Sequence, residues 1–330
     1  MDPVTVLGAG VAGLAVASEL VARGQPVRVH DSNGRPGTHG CSWWAGGMLA
    51  PYCEGESAEE PVVRLGQHAA DWWAAKGAKV HRHGTLVVAM DRDGRELDRF
   101  ARRTEGAEAL GRDRIAELEP DLAERAQRGL FFAREAHLDP REALEDLAER
   151  LQVETLPPET SGLTVDCRGL AARDALPDLR GVKGEMLVIR CTDVTLTRPV
   201  RLLHPRIPLY IVPRGEGVYM LGATVVEATE RTRITARGML ELLSAAYALH
   251  PAFAEAEILE IGTDARPAFP DNLPRIRRKD GPLGQTIYAN GLYRHGFLLA
   301  PALAGQVADL ILNNHKPEFC DEDHPERGAA

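Results

Sequence analysis

Two periodicities alternate along the chain, and the places where they change mark out its elements. Residues 4–7 form a short apolar run. Gly8-Ala9-Gly10-Val11-Ala12-Gly13 follows, then apolar positions at helical spacing over about 11–23, then a second short run at 26–30. Strand, glycine turn, helix, strand is a βαβ start, which implies a parallel pair with a right-handed crossover. After a glycine-rich loop at 31–47, Val62, Val63, Leu65, Ala69 and Trp72 predict one amphipathic helix over about 58–76.

Beyond residue 78 the texture changes. Strands are predicted at 85–90, 129–133 and 163–167, short charged helices at 95–103 and 113–118, and a helix at 140–150 with Pro140 in its first turn. Residues 184–223 are dense in strands (185–190, 200–203, 209–212, 218–222) punctuated by Gly and Pro, as in an antiparallel sheet. A helix at 236–250, strands at 258–261 and 286–289, and a long helix at 296–313 complete the pattern. The fold class is α/β, α+β overall. Residues 1–78, 138–181 and 262–330 are assigned to a discontinuous, Rossmann-like nucleotide-binding domain. Residues 79–137 and 182–261 are assigned to a second domain with an antiparallel β-sheet.

Length and composition agree with this reading. A chain of 330 residues suggests about two domains. Hydrophobic residues at 44% and charged residues at 26% exclude a disordered or coiled-coil chain. A net charge of −9 argues against a nucleic-acid partner, which needs a clustered basic face. Five widely spaced cysteines without a C-x-x-C pair fit neither a disulfide framework nor a zinc site, and suit a reducing cytoplasm. Residues 4–22 lack a basic leader and contain Glu19, unlike a secretory signal. The late apolar stretch 298–312 contains Pro301, Gln306 and Asp309, so no membrane span is expected. His81-x-His83 lacks convergent ligands and reads as exposed histidines. Arg275, Arg277, Arg278 and Lys279 read as a solvated basic turn.

The glycine motif carries the first chemistry. Gly8 permits the tight turn, Gly10 lets a pyrophosphate approach the backbone, and Gly13 lets helix and strand pack closely. The helix N-terminus then presents unpaired N–H groups to an anion. Asp31 lies 18 positions past Gly13 at the end of the second strand, near the ~20 expected of a carboxylate that binds ribose hydroxyls, with Ser32 beside it. The motif does not separate FAD from NAD, although Asp31 disfavours the 2′-phosphate of NADP. Further on, Ala45-Gly46-Gly47-Met48 suits backbone laid against a flat ligand. By itself that run suits a mobile loop equally well.

Two later segments, Tyr210-Ile211-Val212-Pro213-Arg214 with Gly222-Ala223-Thr224, and Tyr293-Arg294-His295-Gly296-Phe297-Leu298-Leu299-Ala300-Pro301, add a resemblance. Together with the glycine motif and the Ala-Gly-Gly-Met loop, they make the chain similar to the D-amino-acid oxidase superfamily of FAD-dependent oxidoreductases. Within it, the chain is most similar to the glycine oxidases of thiamine biosynthesis. The resemblance implies non-covalent FAD, held by Gly8, Gly10, Val11, Ala12, Gly13, Asp31, Ser32, Ala45, Gly46, Gly47, Met48 and Arg294 to Leu298, the last run including His295, Gly296 and Phe297. It also implies oxidative deamination of glycine or a similar small amine. In that reaction a hydride passes from Cα to flavin N5, and dioxygen is the acceptor that becomes hydrogen peroxide. The product imine would supply thiazole synthesis.

Tyr210 and Arg266 match the family's carboxylate-binding pair, and Arg294 matches a further active-site arginine. On their own residues, Arg266 reads as a surface arginine and Tyr210 as an ordinary sheet tyrosine. Pro208 and Val225 are expected near the substrate. The short stretch 151–169, with Asp166-Cys167-Arg168-Gly169, leaves the adenine contacts unassigned. A dehydrogenase passing electrons to a partner and a non-catalytic nucleotide-binding redox module are the alternatives, and the resemblance leaves room for a homo-oligomer.

Overall fold

The computed structural model describes residues 2–155, 162–204, 208–229, 231, 233–281 and 284–321. A five-stranded sheet runs Arg275–Gly281, Gly284–Asn290, Thr164–Asp166, Val4–Leu7, Val27–His30 in spatial order. Val4–Leu7 pairs in parallel with both neighbours, Val6 lying opposite Val29 and Val165. Strands of a parallel sheet are covered on both faces, so they read as unbroken apolar runs; Val6, Val29 and Val165 are all buried. The helix Val11–Ala22 covers one face and packs against the last helix, Gly296–Asn313. That last helix is, among the described residues, the one long and apolar enough to cross a membrane. Here it is a core helix, with Leu299, Ala300, Leu303, Ala304 and Val307 fully buried.

The second sheet has nine strands. From one side, Val226–Glu227 and Glu257–Ala268 each pair with Arg180–Arg190. Val218–Gly222, Leu209–Gly215, Val200–Leu203, Thr85–Ala89, Arg128–Phe132 and Glu108–Gly111 follow in order. All pairings are antiparallel except that of Val200–Leu203 with Thr85–Ala89. Because side chains alternate along a strand, each strand serves two faces. Leu187, Ile189, Leu202, Leu209, Ile211 and Leu221 form a core with the helix Ala236–Leu249. The alternate positions, among them Met186, Arg201, Tyr210 and Arg266, line a cavity shared with the loops of the first sheet.

Besides short elements that were not expected, such as Pro51–Glu54 and Glu108–Gly111, three departures have a plain physical reason. The helix expected over 58–76 is two, Glu60–Gly66 and Ala69–Ala75. Gly66 lies against Leu298, where a Cβ would come within 2.8 Å, and a glycine required by packing is also a weak helix former. The basic segment expected to be a solvated turn is the strand Arg275–Gly281, in which Arg277 pairs with Asp178 and Asp321. Acids remote in sequence pair with Arg275 and Arg277, which no local pattern reveals, while Arg278 and Lys279 are exposed as expected. The strands expected at 185–190 and 258–261 extend to Arg180–Arg190 and Glu257–Ala268 and pair along their length. The residue ranges 181/182 and 261/262, taken as boundaries above, therefore fall inside continuous strands.

Candidate active site

The strand ends Leu7, His30, Asp166 and Asn290 lead into loops that open on one cavity of about 790 Å3. A crevice at the carboxyl ends of parallel strands is where open α/β sheets bind ligands. Every predicted cofactor residue lines this cavity except Gly13. Gly13 instead closes the packing of helix on turn: a Cβ there would stand 1.8 Å from the Gly8 carbonyl oxygen. Gly8 has φ +100°, and a Cβ on it would lie 2.7 Å from the Cys167 carbonyl oxygen. At Gly10 the nearest atom to a built Cβ is Ser42 Oγ at 3.4 Å, so that position opens on the cavity. The Ala9 amide donates to Asp31 Oδ2 at 2.8 Å and the Val11 amide to Ser42 Oγ at 3.1 Å. The helix has no acidic residue in its first turn, so its positive end is uncompensated, as suits a pyrophosphate.

The loop at residues 45–48 is held from behind. The half-buried Arg214 guanidinium donates to the carbonyls of Ala45 (3.2 Å), Gly46 (3.0 Å) and Leu138 (3.1 Å). Gly47 has φ +71°, and a Cβ on it would stand 2.2 Å from the Leu138 carbonyl oxygen. Only glycine fits at position 47, and the backbone there is presented to the cavity. Sequence reasoning quoted Arg214 as part of a motif without this anchoring role.

On the opposite wall, Arg201, Tyr210 and Gly222 lie in register across three strands. Arg266 reaches the same cavity from Glu257–Ala268, and its Nη1 donates to the Thr224 carbonyl at 3.4 Å. It has no carboxylate partner among the described residues. Burial pushes the Tyr210 phenol up, so it stays protonated. Pro208 and Val225 also line the cavity.

Arg294 and His295 stand just before the last helix and meet Glu54, at 3.1 Å from Arg294 Nη2 and 3.5 Å from His295 Nδ1. Burial pushes His295 down to about 4, so it is neutral at pH 7. Glu54 and its partner Arg201 were not singled out from sequence. The available signal was a charged residue at 201, within an apolar run, on the same sheet face as Tyr210. Cys167, Arg168 and Gly169 also line the cavity, in the segment left unassigned above; residues 156–161 beside it lie outside the described residues.

Comparison with known proteins gives this geometry a family. The model of the family described as DAO, FAD dependent oxidoreductase, matches residues 3–310. A Rhizobium etli protein named "Putative thiamine biosynthesis oxidoreductase ThiO" is 54% identical over 338 residues, covering 99% of both chains. A glycine oxidase of Bacillus licheniformis is 26% identical, covering 98% of this chain and 97% of its own. Among solved structures, the glycine oxidase of Geobacillus kaustophilus superposes with a TM-score of 0.77 at 24% identity, covering 98% of this chain and 99% of that one. A cavity that fits a dinucleotide at its glycine turn, on a fold shared with these enzymes, leads to one assignment: the chain belongs to the DAO family of FAD-dependent oxidoreductases.

Proposed function

We propose that the chain oxidises the amine of glycine, or of a similarly small amino acid, to an imine that feeds thiamine thiazole synthesis. The glycine oxidase and thiamine biosynthesis names of its relatives support the substrate and the pathway. The observation that carries the reading is Arg266. A guanidinium on a cavity wall, with one long hydrogen bond to a backbone carbonyl, is a receptor awaiting an anion. Its planar fork matches a carboxylate through two parallel charge-assisted bonds. The neutral Tyr210 phenol beside it is a further donor.

Gly8, Gly10, Val11, Asp31 and Ser32 would hold the nucleotide half of FAD. Residues 45–48 and 294–298 would lie along its ring. When bound, FAD supplies the two-electron acceptor, and dioxygen the final oxidant, with hydrogen peroxide as product. The chain's own contribution is positioning: Arg266 and Tyr210 fix the carboxylate, and with it the Cα–H bond. A carboxylate fixed in this way leaves the amine free to lose its proton to solvent.

The experiment is an anaerobic mixing of the FAD-loaded protein with glycine, sarcosine and D-alanine. Loss of the yellow flavin absorbance with glycine, and peroxide on admitting air, is the expected result. Bleaching without peroxide would make the protein a dehydrogenase. No bleaching by any of the three would end the amino-acid reading.

A further inference from the structure

Glu54 ends the short helix Pro51–Glu54, and its side chain is buried. Three groups from distant parts of the chain converge on it. Arg201, in register with Tyr210 on the nine-stranded sheet, donates from Nη2 to Oε1 at 2.5 Å. Arg294 and His295 approach the other oxygen, Oε2. Burial alone would raise the Glu54 carboxyl, but Arg201 first and Arg294 next hold it well below the usual carboxylate range. Oε2 is sealed from solvent and has no hydrogen-bond partner among the described residues, so it holds Arg294 as an ion pair at 3.1 Å.

Arg294 itself is at the cavity wall with its side chain 36% exposed, and its other side-chain partner is Ser57, from Nη2 to Oγ at 2.6 Å. An exposed arginine side chain is rich in rotamers, which a single serine hydroxyl does little to restrain. Arg201, Arg266 and Arg294 all line this one cavity, so three guanidiniums border the same site.

We propose that Glu54 is a positioning residue for substrate binding: it fixes Arg294 so that its guanidinium meets the substrate carboxylate alongside Arg266, with Arg201 as the second ionic partner that holds Glu54 in place. The inference rests on the carboxylate-binding reading of this cavity. It makes a prediction opposite to simple electrostatics. Removing a negative charge from a cationic site should by itself tighten anion binding. Removing the anchor of Arg294 should loosen it.

The test uses the FAD-loaded protein with acetate as probe, followed by the change in flavin absorbance, beside steady-state kinetics with glycine. Glu54→Gln should weaken acetate binding and raise the glycine KM by about tenfold while kcat changes by less than about threefold, the pattern of lost uniform binding. Glu54→Asp should recover part. In an Arg294→Met background, Glu54→Gln should add almost nothing, since two residues acting as one unit are not additive.

Glu54→Gln leaves the half-buried Arg201 without its ionic partner, which can prevent folding. The paired replacement Glu54→Met with Arg201→Met removes both charges, a change that buried ion pairs often tolerate, and is put through the same comparison. Unchanged or tighter acetate binding in these variants, or losses that multiply with Arg294→Met, would overturn the inference. Failure of the wild type itself both to bind acetate and to be bleached by amino acids would instead refute the oxidase reading, and the positioning role with it.

Discussion

Gly184 lies against the guanidinium of Arg266: a Cβ built on the glycine would stand 2.1 Å from Nη2 and 2.4 Å from Cζ. Gly222 does the same for Tyr210, where a Cβ would come within 2.5 Å of the phenol oxygen. The proposed carboxylate site is thus two large side chains laid across glycines of neighbouring strands.

Gly184→Ala should displace the Arg266 guanidinium without touching the flavin cradle. A misplacement of about 1 Å at a positioning group costs on the order of 100-fold in rate, so kcat/KM for glycine should fall by about that much at normal flavin content. Wild-type kinetics in a folded Gly184→Ala protein would show that the placement of Arg266 is immaterial.

The glycines of the first turn should separate into two classes. At Gly10 a built Cβ meets nothing closer than Ser42 Oγ at 3.4 Å, so Gly10→Leu should fold and yet lack flavin, its side chain filling the pyrophosphate path. At Gly13 a Cβ would collide with backbone at 1.8 Å, so Gly13→Val should fail to fold. Circular dichroism and flavin content on both variants check this. Full flavin in Gly10→Leu contradicts the cradle.

Local rules made the first turn readable in advance. The positive φ of Gly8, the strand before it and the carboxylate of Asp31 are all set within a few residues of one another or at a fixed spacing. The period of two placed Tyr210 opposite Leu209 and Ile211, and the structure agrees, with those two in the helix-facing core and Tyr210 on the cavity. The roles of Tyr210 and Arg266, by contrast, came from family resemblance rather than from pattern. The Arg201–Glu54 pair was not legible at all. Its partners lie 147 positions apart, and only the pairing of strands and the docking of the short helix bring them together. The same holds for Arg277 and its two aspartates.

Stability should fall in mild acid. His137 is buried, with Nδ1 lacking a hydrogen-bond partner, and its ring stacks on His81 at 4.9 Å. Burial, and then the neighbouring His81, push His137 from 6.5 down to about 3. The unfolded chain therefore binds this proton more tightly. The stability of the neutral stack is complete above about pH 6.5 and is lost as pH falls toward about 3, at up to ~1.4 kcal/mol per unit. His295, pushed down to about 4, adds in the same direction. Urea unfolding of the FAD-loaded protein across this range should show a shallower pH slope for His137→Leu than for wild type; equal slopes would remove His137 from the account.

Flavin should be released by acid precipitation. Of the cysteines on the cavity wall, Cys41 is the one partly exposed, and burial pushes its thiol up to about 11, far from a reactive thiolate. Cys53 and Cys167 are buried, with thiols also pushed up by burial. Colour retained in the pellet, and lost with Cys41→Ala, would instead reveal a thioether.

The most direct test of the central claim is the kinetics of Arg266→Ala with glycine. Loss of a buried partner to a charged group costs ~2–5 kcal/mol, which corresponds to roughly 30- to 3,000-fold in kcat/KM. Arg266→Lys should recover only part of this, because an ammonium lacks the bidentate fork, and Tyr210→Phe should cost less than Arg266→Ala. An amine without a carboxylate, poor for wild type, should be nearly indifferent to the change. Wild-type glycine kinetics in Arg266→Ala, at full flavin content, would contradict the account and move the carboxylate to Arg294.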